Sequence, residues 1–430
     1  MKKIARRNFL TLMGMGSVAA AATMAGCSTE SSTTTTSVAT SSQTTDTAEE
    51  ESLSGEIEVL FHKVEIVELM EDLSAQFTAI HPDVKVVINS SGDVLQTRAV
   101  SGNMPDIYTC AYNADPFVYV DDGYFADLTG LSCMENVLES VVEENLYNGA
   151  NYYVPYISNA TGVYYNTEIF AENNILLPET MDEFFDVCET LLALGIMPIS
   201  FSDQELWTLS AVGDRLTGLV YDDDGSLFEE IAAGTTSALE HDGMRTVAEI
   251  FLKMRDYGRS DSLGVSYEAA ISEFAWGQTA MMIQGTWMLA LCKAANPDVP
   301  VDMFPLPGIT AAETRVGTNV DLCYFVGEDS ANKDVAIAFL AWMNETEQAQ
   351  YFADYEGSPS LIKDVESSTA EFESLANLIE EGKNFKISRN YWAAGFISEF
   401  NNCLQRLLAN KDVDTYLSEI DESVDLIYNA

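Results

Sequence analysis

Trp287 has the most telling position in this sequence. It lies in the stretch Ile271–Ala290, ISEFAWGQTAMMIQGTWMLA. Gly277 suits the left-handed turn that ends a short amphipathic helix. The apolar run Thr279–Ile283 reads as a strand buried on both faces, Gly285 permits a sharp turn, and a second helix starts at Trp287. The indole is therefore expected just beyond the carboxyl end of a strand, where open α/β sheets collect ligands. A Trp in such a turn serves as core about as readily as ligand surface. Tyr112-Asn113-Ala114-Asp115 sets an aromatic face beside an amide and a carboxylate, groups that can stack on a ring and bond hydroxyls. The same residues are equally a simple Asx turn before Pro116. His62 and Lys63 end the first predicted strand, a third ligand-side position, with Lys63 expected to be exposed. A lone His at such a site is more often a satisfied loop residue than a ligand contact.

Other chemistries find little support. There is no nucleophile elbow, phosphate loop or metal motif. His62, His81 and His241 are spaced unlike any metal site. Asp222-Asp223-Asp224-Gly225 has the start of a calcium loop but not the later Glu. Tyr152-Tyr153 and Tyr164-Tyr165 would suit ferric iron only beside a His or carboxylate cluster, and none accompanies them. With 68 acidic residues any carboxylate pair is easy to find, so a glycosidase pair carries almost no weight. No cofactor is expected.

These positions need elements to hold them. Ile57, Val59 and Phe61 alternate as a strand, and Ile66, Met70, Leu73, Phe77 and Ile80 follow as a helical stripe. His81-Pro82-Asp83 turns the chain into a second strand, Val84–Ile88, which makes a right-handed βαβ opening to a parallel sheet. Thr180 and Glu183 form a capping box ahead of the stripe Phe184, Val187, Cys188 and Leu191. Met197–Phe201 reads as a strand, and Val335, Phe339, Trp342 and Met343 as a helix with Trp342 in the core. Two helices close the chain, one carrying Ile397, Phe400, Leu404 and Leu407 and the other Val413 to Ile427.

The totals set bounds. A chain of 430 residues exceeds one compact core and implies two domains. A net charge of −47 repels nucleic acid and anionic lipid, so no nucleic-acid partner is expected. Cys110, Cys133, Cys188, Cys292, Cys323 and Cys403 sit mostly in apolar segments without a C-x-x-C pair. They read as buried free thiols, with disulfides left open. Residues 1–27 read as an export signal: Lys2, Lys3, Arg6 and Arg7 precede an apolar core, Leu10–Met24, too short to span a membrane. Met24-Ala25-Gly26-Cys27 resembles a bacterial lipobox, which implies cleavage before Cys27 and a lipid on its sulfur. Arg6-Arg7-Asn8-Phe9-Leu10 also resembles a twin-arginine motif, so the export route stays open. Residues 28–53 are a Ser/Thr-rich stretch expected to be a disordered tether.

The pattern Phe274-x-x-Gly277-x-x-Ala280-Met281-x-x-x-Gly285-x-Trp287 resembles the signature of family 1 extracellular solute-binding proteins, relatives of the maltose-binding protein. Further motifs follow in the family's order: Gly102–Ile107, Tyr153–Tyr156, Gly162–Asn166, Pro178–Phe184 (with Met181 where the family has Trp), Pro305-Leu306-Pro307 and Gly357–Pro359. The resemblance implies an α/β, two-lobed periplasmic-binding-protein-like fold, its discontinuous lobes each having a mainly parallel sheet flanked by helices. The N-lobe would take 54–158 plus 316–360, and the C-lobe 159–315 plus 361–430. It implies a substrate-binding lipoprotein of an ABC importer that captures a neutral mono- or oligosaccharide between its lobes and hands it to the permease. The molecule would be a monomer on the outer face of the bacterial cytoplasmic membrane, without enzymatic activity. Asn159 and Asp321 would lie on the crossing strands, Glu205 and Trp207 in a C-lobe loop, and Tyr391 and Trp392 where relatives place an aromatic contact. With His62, Lys63, Tyr112, Asn113, Asp115 and Trp287 they make the candidate ligand set. The alternatives are a secreted carbohydrate-active enzyme and a surface adhesin or sensor on the same body.

Overall fold

The computed structural model describes residues 53–92, 94–221, 226–366 and 369–429. The expected export signal, Cys27, nearly all of the tether and the Asp222–Gly225 run lie outside them. The chain opens as its alternation predicts. Gly55–Leu60 (β1) leads through the helix Val67–Ile80 to Val84–Asn89 (β2), parallel to β1 with Val59 opposite Ile88. Leu69, Met70, Leu73 and Phe77 are the buried face of that helix. Ile107–Cys110 (β3) joins β1 on its other edge.

Val154–Asn166 (β4) is followed by Met197–Ser200 (β5), Thr279–Gly285 (β6), Val301–Phe304 (β7), Val316–Val326 (β8) and Asn384–Lys386 (β9). The sheet order is β2-β1-β3-β8-β4-β6-β5, with β7 also on β4 and β9 on β8. β4 and β8 are the two crossing strands. They run antiparallel, with Val154 opposite Tyr324 at one end and Thr161 opposite Gly317 at the other. β3 pairs with the Cys323–Val326 end of β8, whereas β6 and β7 flank the Thr161–Asn166 end of β4. Parallel pairs such as β1–β2 and β5–β6 thus occur within each half, and the crossing strands contribute the antiparallel ones.

Each half has its own core. Val59, Leu73, Phe77, Tyr324 and Phe339 belong to one, and Phe184, Leu216, Phe251, Phe400 and Leu417 to the other. Burying a large apolar side chain contributes about 1.5–3 kcal/mol, so both halves can hold together on their own packing. The Thr180–Glu183 capping box is formed, and Trp342 is in the core. Gly277 takes the left-handed conformation at φ 68°. Gly285 does not turn the chain: its φ of −93° and ψ of 172° are extended. Its lack of a side chain is required sterically, because a Cβ there would stand 1.9 Å from the Trp287 ring.

Candidate functional site

Directly opposed residues of an antiparallel pair share a face of the sheet. Asn159 on β4 lies opposite Asn319 on β8, and Asp321 is the residue skipped where the register shifts between Val320 and Leu322. Asn159 Nδ2 donates to Asp321 Oδ1 at 2.5 Å. From the end of β1, Lys63 pairs with Asp321 and also with Glu356 at 3.1 Å. Lys63 is 3 % exposed, which corrects the expectation that it is an exposed cation. Burial opposes its charge, but Asp321 and Glu356 outweigh that and hold the ammonium above its usual range. Burial likewise disfavours the Asp321 carboxylate, yet Lys63 holds it below the usual carboxylate range. His62 keeps an exposed surface while its Nδ1 meets Thr109 Oγ1 at 2.9 Å. Packing at the strand end and the neighbouring Lys63 push its pKa down to about 4, so it is neutral at pH 7.

The other half contributes through one helix. Leu206–Val220 has Thr208 to Leu219 buried without interruption, including Asp214 and Arg215. Arg215 pairs with Asp214, and its Nε donates to Thr161 Oγ1 on β4 at 3.4 Å. Arg389 Nε stands 3.7 Å from Asp214 Oδ2, and Arg389 is close enough to His62 and Asp321 to affect and feel their charge. Asn390 Nδ2 donates to Asn319 Oδ1 at 2.9 Å. The result is a buried polar cluster drawn from both halves. Its paired charges balance, Lys63, Arg215 and Arg389 against Asp214, Asp321 and Glu356, and burial raises the pKa of the neighbouring Glu65 to about 7. Among the described residues, Asn159 Oδ1, Asp214 Oδ2, Arg215 Nη2, Arg389 Nε and Asn390 Oδ1 are buried with no hydrogen-bond partner. Such atoms are costly unless something bonds them.

Aromatic rings adjoin this cluster. The Arg215 guanidinium is 6.0 Å from the Trp287 ring centroid. Trp207 meets Trp287 at 6.4 Å and Tyr267 at 4.9 Å, both edge to face. Trp207 is 37 % exposed and Trp287 only 6 %, so the accessible face belongs mainly to Trp207.

The remaining candidates fall elsewhere. Asn113 makes the Asx turn, accepting from the Asp115 N–H at 2.8 Å. Glu205 Oε2 accepts from the Tyr267 N–H at 2.9 Å, which commits it to the start of the helix Tyr267–Ala275. Trp392 is 3 % exposed and packs on Phe228, Phe396 and Phe400 inside the second core. Tyr112 and Tyr391 line a cavity of about 220 Å³ together with Glu144, Ser158, Thr318 and Lys386. Asn319 and Asn390 of the polar cluster line this cavity as well, and Asn319 Nδ2 donates to the Tyr112 carbonyl at 3.1 Å, so the cavity adjoins the cluster. Asp115 Oδ1 accepts from the Gly395 N–H at 2.7 Å, and Glu144 stands 3.8 Å from Lys386. Both contacts join one half to the other.

Sequence reasoning passed over Asp214, Arg215, Arg389, Asn390, Asn319 and Glu356 as site residues. One signal was available for the first two: an adjacent Asp-Arg pair inside the otherwise small and apolar run LSAVGDRLTGLV. Among the described residues no His, Cys, Asp and Glu group could hold a metal ion, and no helix is long and apolar enough to cross a membrane.

Two halves joined by crossing strands, with polar groups from both converging between them, define a solute-binding protein. The chain belongs to the bacterial extracellular solute-binding protein family, whose profile matches residues 64–350. It is 25% identical over 347 residues to the multiple sugar-binding protein of Streptococcus mutans, covering 78% of this chain and 82% of that protein. The solved structure of the solute-binding protein RafE in complex with raffinose superposes with a TM-score of 0.77 at 22% identity, covering 87% of this chain and 99% of that one. The apo-form of RafE from Streptococcus pneumoniae, also 22% identical, superposes at 0.67 over 87% of this chain and 98% of that one.

Proposed function

We propose that this chain captures a neutral carbohydrate, a mono- or oligosaccharide, between its halves and delivers it to the permease of an ABC importer. The observation that carries the reading is the set of buried atoms without a hydrogen-bond or ion-pair partner among the described residues, Asn159 Oδ1, Arg215 Nη2 and Asn390 Oδ1, beside the long Arg389–Asp214 pair. It mixes donors with acceptors, and a sugar hydroxyl is both. The site's paired charges already cancel, so a neutral cargo leaves none of them unmatched. Trp207 and Trp287 supply flat faces for the C–H side of a pyranose ring. Relatives named for sugars agree with this chemistry. Of the sequence candidates, Asn159, Trp207, Trp287 and Asp321 stand at or against the cluster. His62 and Lys63 border it, and Tyr112, Asn113, Asp115, Glu205, Tyr391 and Trp392 serve around it.

In this reading the N-lobe comprises 54–158 plus 316–360 and the C-lobe 159–315 plus 361–430. The chain is a monomer exported through residues 1–27. Cys27 carries the lipid that anchors it on the outer face of the cytoplasmic membrane, and residues 28–53 are the tether. Closure about β4 and β8 buries the cargo and presents the closed form to the permease. No bond of the sugar is made or broken. A thermal-shift screen across neutral sugars, followed by calorimetry, tests this. A cargo selective for the folded state raises the melting temperature, by an amount corresponding to about 2.7 kcal/mol at a hundred times its Kd. Stoichiometric binding without new products is expected. Turnover of an oligosaccharide during the same incubation would establish an enzyme instead.

A further inference from the structure

The helix Phe396–Asn410 begins at Gly395, whose φ is 84° and which has no side chain to cap the first turn; the Phe396 N–H turns back to the Ala393 carbonyl at 3.1 Å, while the Gly395 N–H at the cap has no backbone acceptor among the described residues. Such groups carry a partial positive charge. Asp115 supplies the missing partner from 280 residues away, its Oδ1 accepting from the Gly395 N–H at 2.7 Å. The carboxylate is well placed for this. The Asp115 N–H is held by Asn113 Oδ1, and Pro116 follows it at the start of the helix Asp115–Asp121. Phe117 and Val120 of that helix pack with Tyr153 and Phe325 in the half built around β3. Gly395 is positioned by the opposite half, where Trp392 and Phe396 pack against Phe228 and Trp392 also against Phe400. The bond therefore exists only while the halves are together.

We infer that Asp115 is a closure latch: a carboxylate of one half that caps a helix of the other and favours the cargo-holding arrangement without touching the cargo. The inference rests on the reading that a sugar is held between the halves. A contact made in one state and not the other shifts the equilibrium by its own strength. Charge-assisted bonds to backbone N–H groups are among the stronger ones. The latch accounts for a carboxylate in a loop that, read from sequence, looked like part of the ligand surface, and it gives the buried Trp392 a task in holding Gly395 in reach.

The test compares the full chain with Asp115→Ala and Asp115→Asn. Small-angle scattering without sugar reads the open fraction. Stopped-flow with raffinose as probe reads release. The Ala variant is expected to show a larger radius of gyration and release about ten-fold faster, with an unchanged association rate. The Asn variant, which keeps an acceptor but loses the charge, should fall between. Melting temperatures close to the parent's show that the fold is kept; should Ala fold poorly, the Asn variant decides. Scattering and release equal to the parent's overturn the latch. If the parent does not bind raffinose, raffinose is excluded as cargo, and the scattering comparison alone decides the latch.

Discussion

Lys63 lies where a cargo contact was expected but is engaged by Asp321 and Glu356, and replacing it separates the two roles. In Lys63→Met the chain length is kept and the cation is lost. Asp321 and Glu356, 6 % and 1 % exposed, are then left as buried carboxylates with their counter-charge gone. Removing one partner of a buried pair costs about 3–5 kcal/mol. In a unit of 150–250 residues each kcal/mol lowers the melting temperature by roughly 2–4 °C, so calorimetry at pH 7 should record a fall of roughly 6–20 °C. The double variant Lys63→Met with Glu356→Gln should recover part of it, since one stranded charge is gone. The pH dependence has a definite sign. The Lys63 ammonium is held above its usual range, so its contribution is fully present below the ordinary lysine pKa and is lost only in alkali. The Asp321 carboxyl is held below its usual range, so its contribution is present above about pH 4, the usual carboxylate value, and lost in acid. The gap between parent and variant should thus stay flat across neutral pH and narrow in acid. A variant that melts within about 2 °C of the parent yet has lost sugar affinity would refute this argument and return Lys63 to the ligand surface.

Four further substitutions test the surroundings of the cluster. Trp207→Ala, at a 37 % exposed ring, should weaken sugar binding about ten-fold by calorimetry with little loss of stability, whereas Trp287→Ala, at 6 %, should also cost about 3–5 kcal/mol as a buried aromatic. Gly285→Ala places a methyl where the Trp287 ring stands and should displace the indole, seen as a shift in tryptophan emission together with lost affinity. Burial, partly offset by Lys63, raises the Glu65 pKa to about 7 from an ordinary value near 4.5. An acid whose pKa is raised on folding makes stability fall as pH climbs between those two values. Glu65→Gln should flatten the melting curve's pH dependence over that window, and an unchanged slope would show that the carboxyl is not perturbed.

The parts of the fold that were legible are those where one period dominates. The helix Val67–Ile80 buries the predicted stripe, and the Thr180–Glu183 box and the strand at Thr279–Gly285 fall where their residue types place them. These features are local, so a window of sequence contains their cause. Asn159 and Asp321 were expected from ordered motifs, and pairing across β4 and β8 is what brings them together. The reading was weakest where a residue's partner is distant in the chain. Glu205 looks like a free carboxylate until the start of the Tyr267 helix arrives beside it. Tyr391 and Trp392 are adjacent in sequence and unlike in fate, since one lines a cavity and the other fills the core. Gly285 was read as a turn because composition cannot tell a glycine needed for its backbone from one needed for the absence of Cβ.

The Leu206–Val220 helix explains why the site combines stacking with charge. Trp207, near its start, carries the exposed ring, and seven residues later, two turns along, Asp214 and Arg215 carry the ion pair. At 1.5 Å per residue that spacing fixes the ring and the pair about 10 Å apart along one axis, a length suited to sugar units in sequence. Because Thr208 to Leu219 are buried, the helix cannot reorient without unpacking its half. The C-half of the site is therefore rigid, and in the proposed reading affinity is tuned by what the other half brings up to it: Asp321 on its crossing strand, which meets Asn159, and the latch at Asp115. On the proposed function, a sugar that spans the ring and the ion pair would engage the rigid half first and gain the remaining hydrogen bonds only on closure, which would tie tight holding to the closed form.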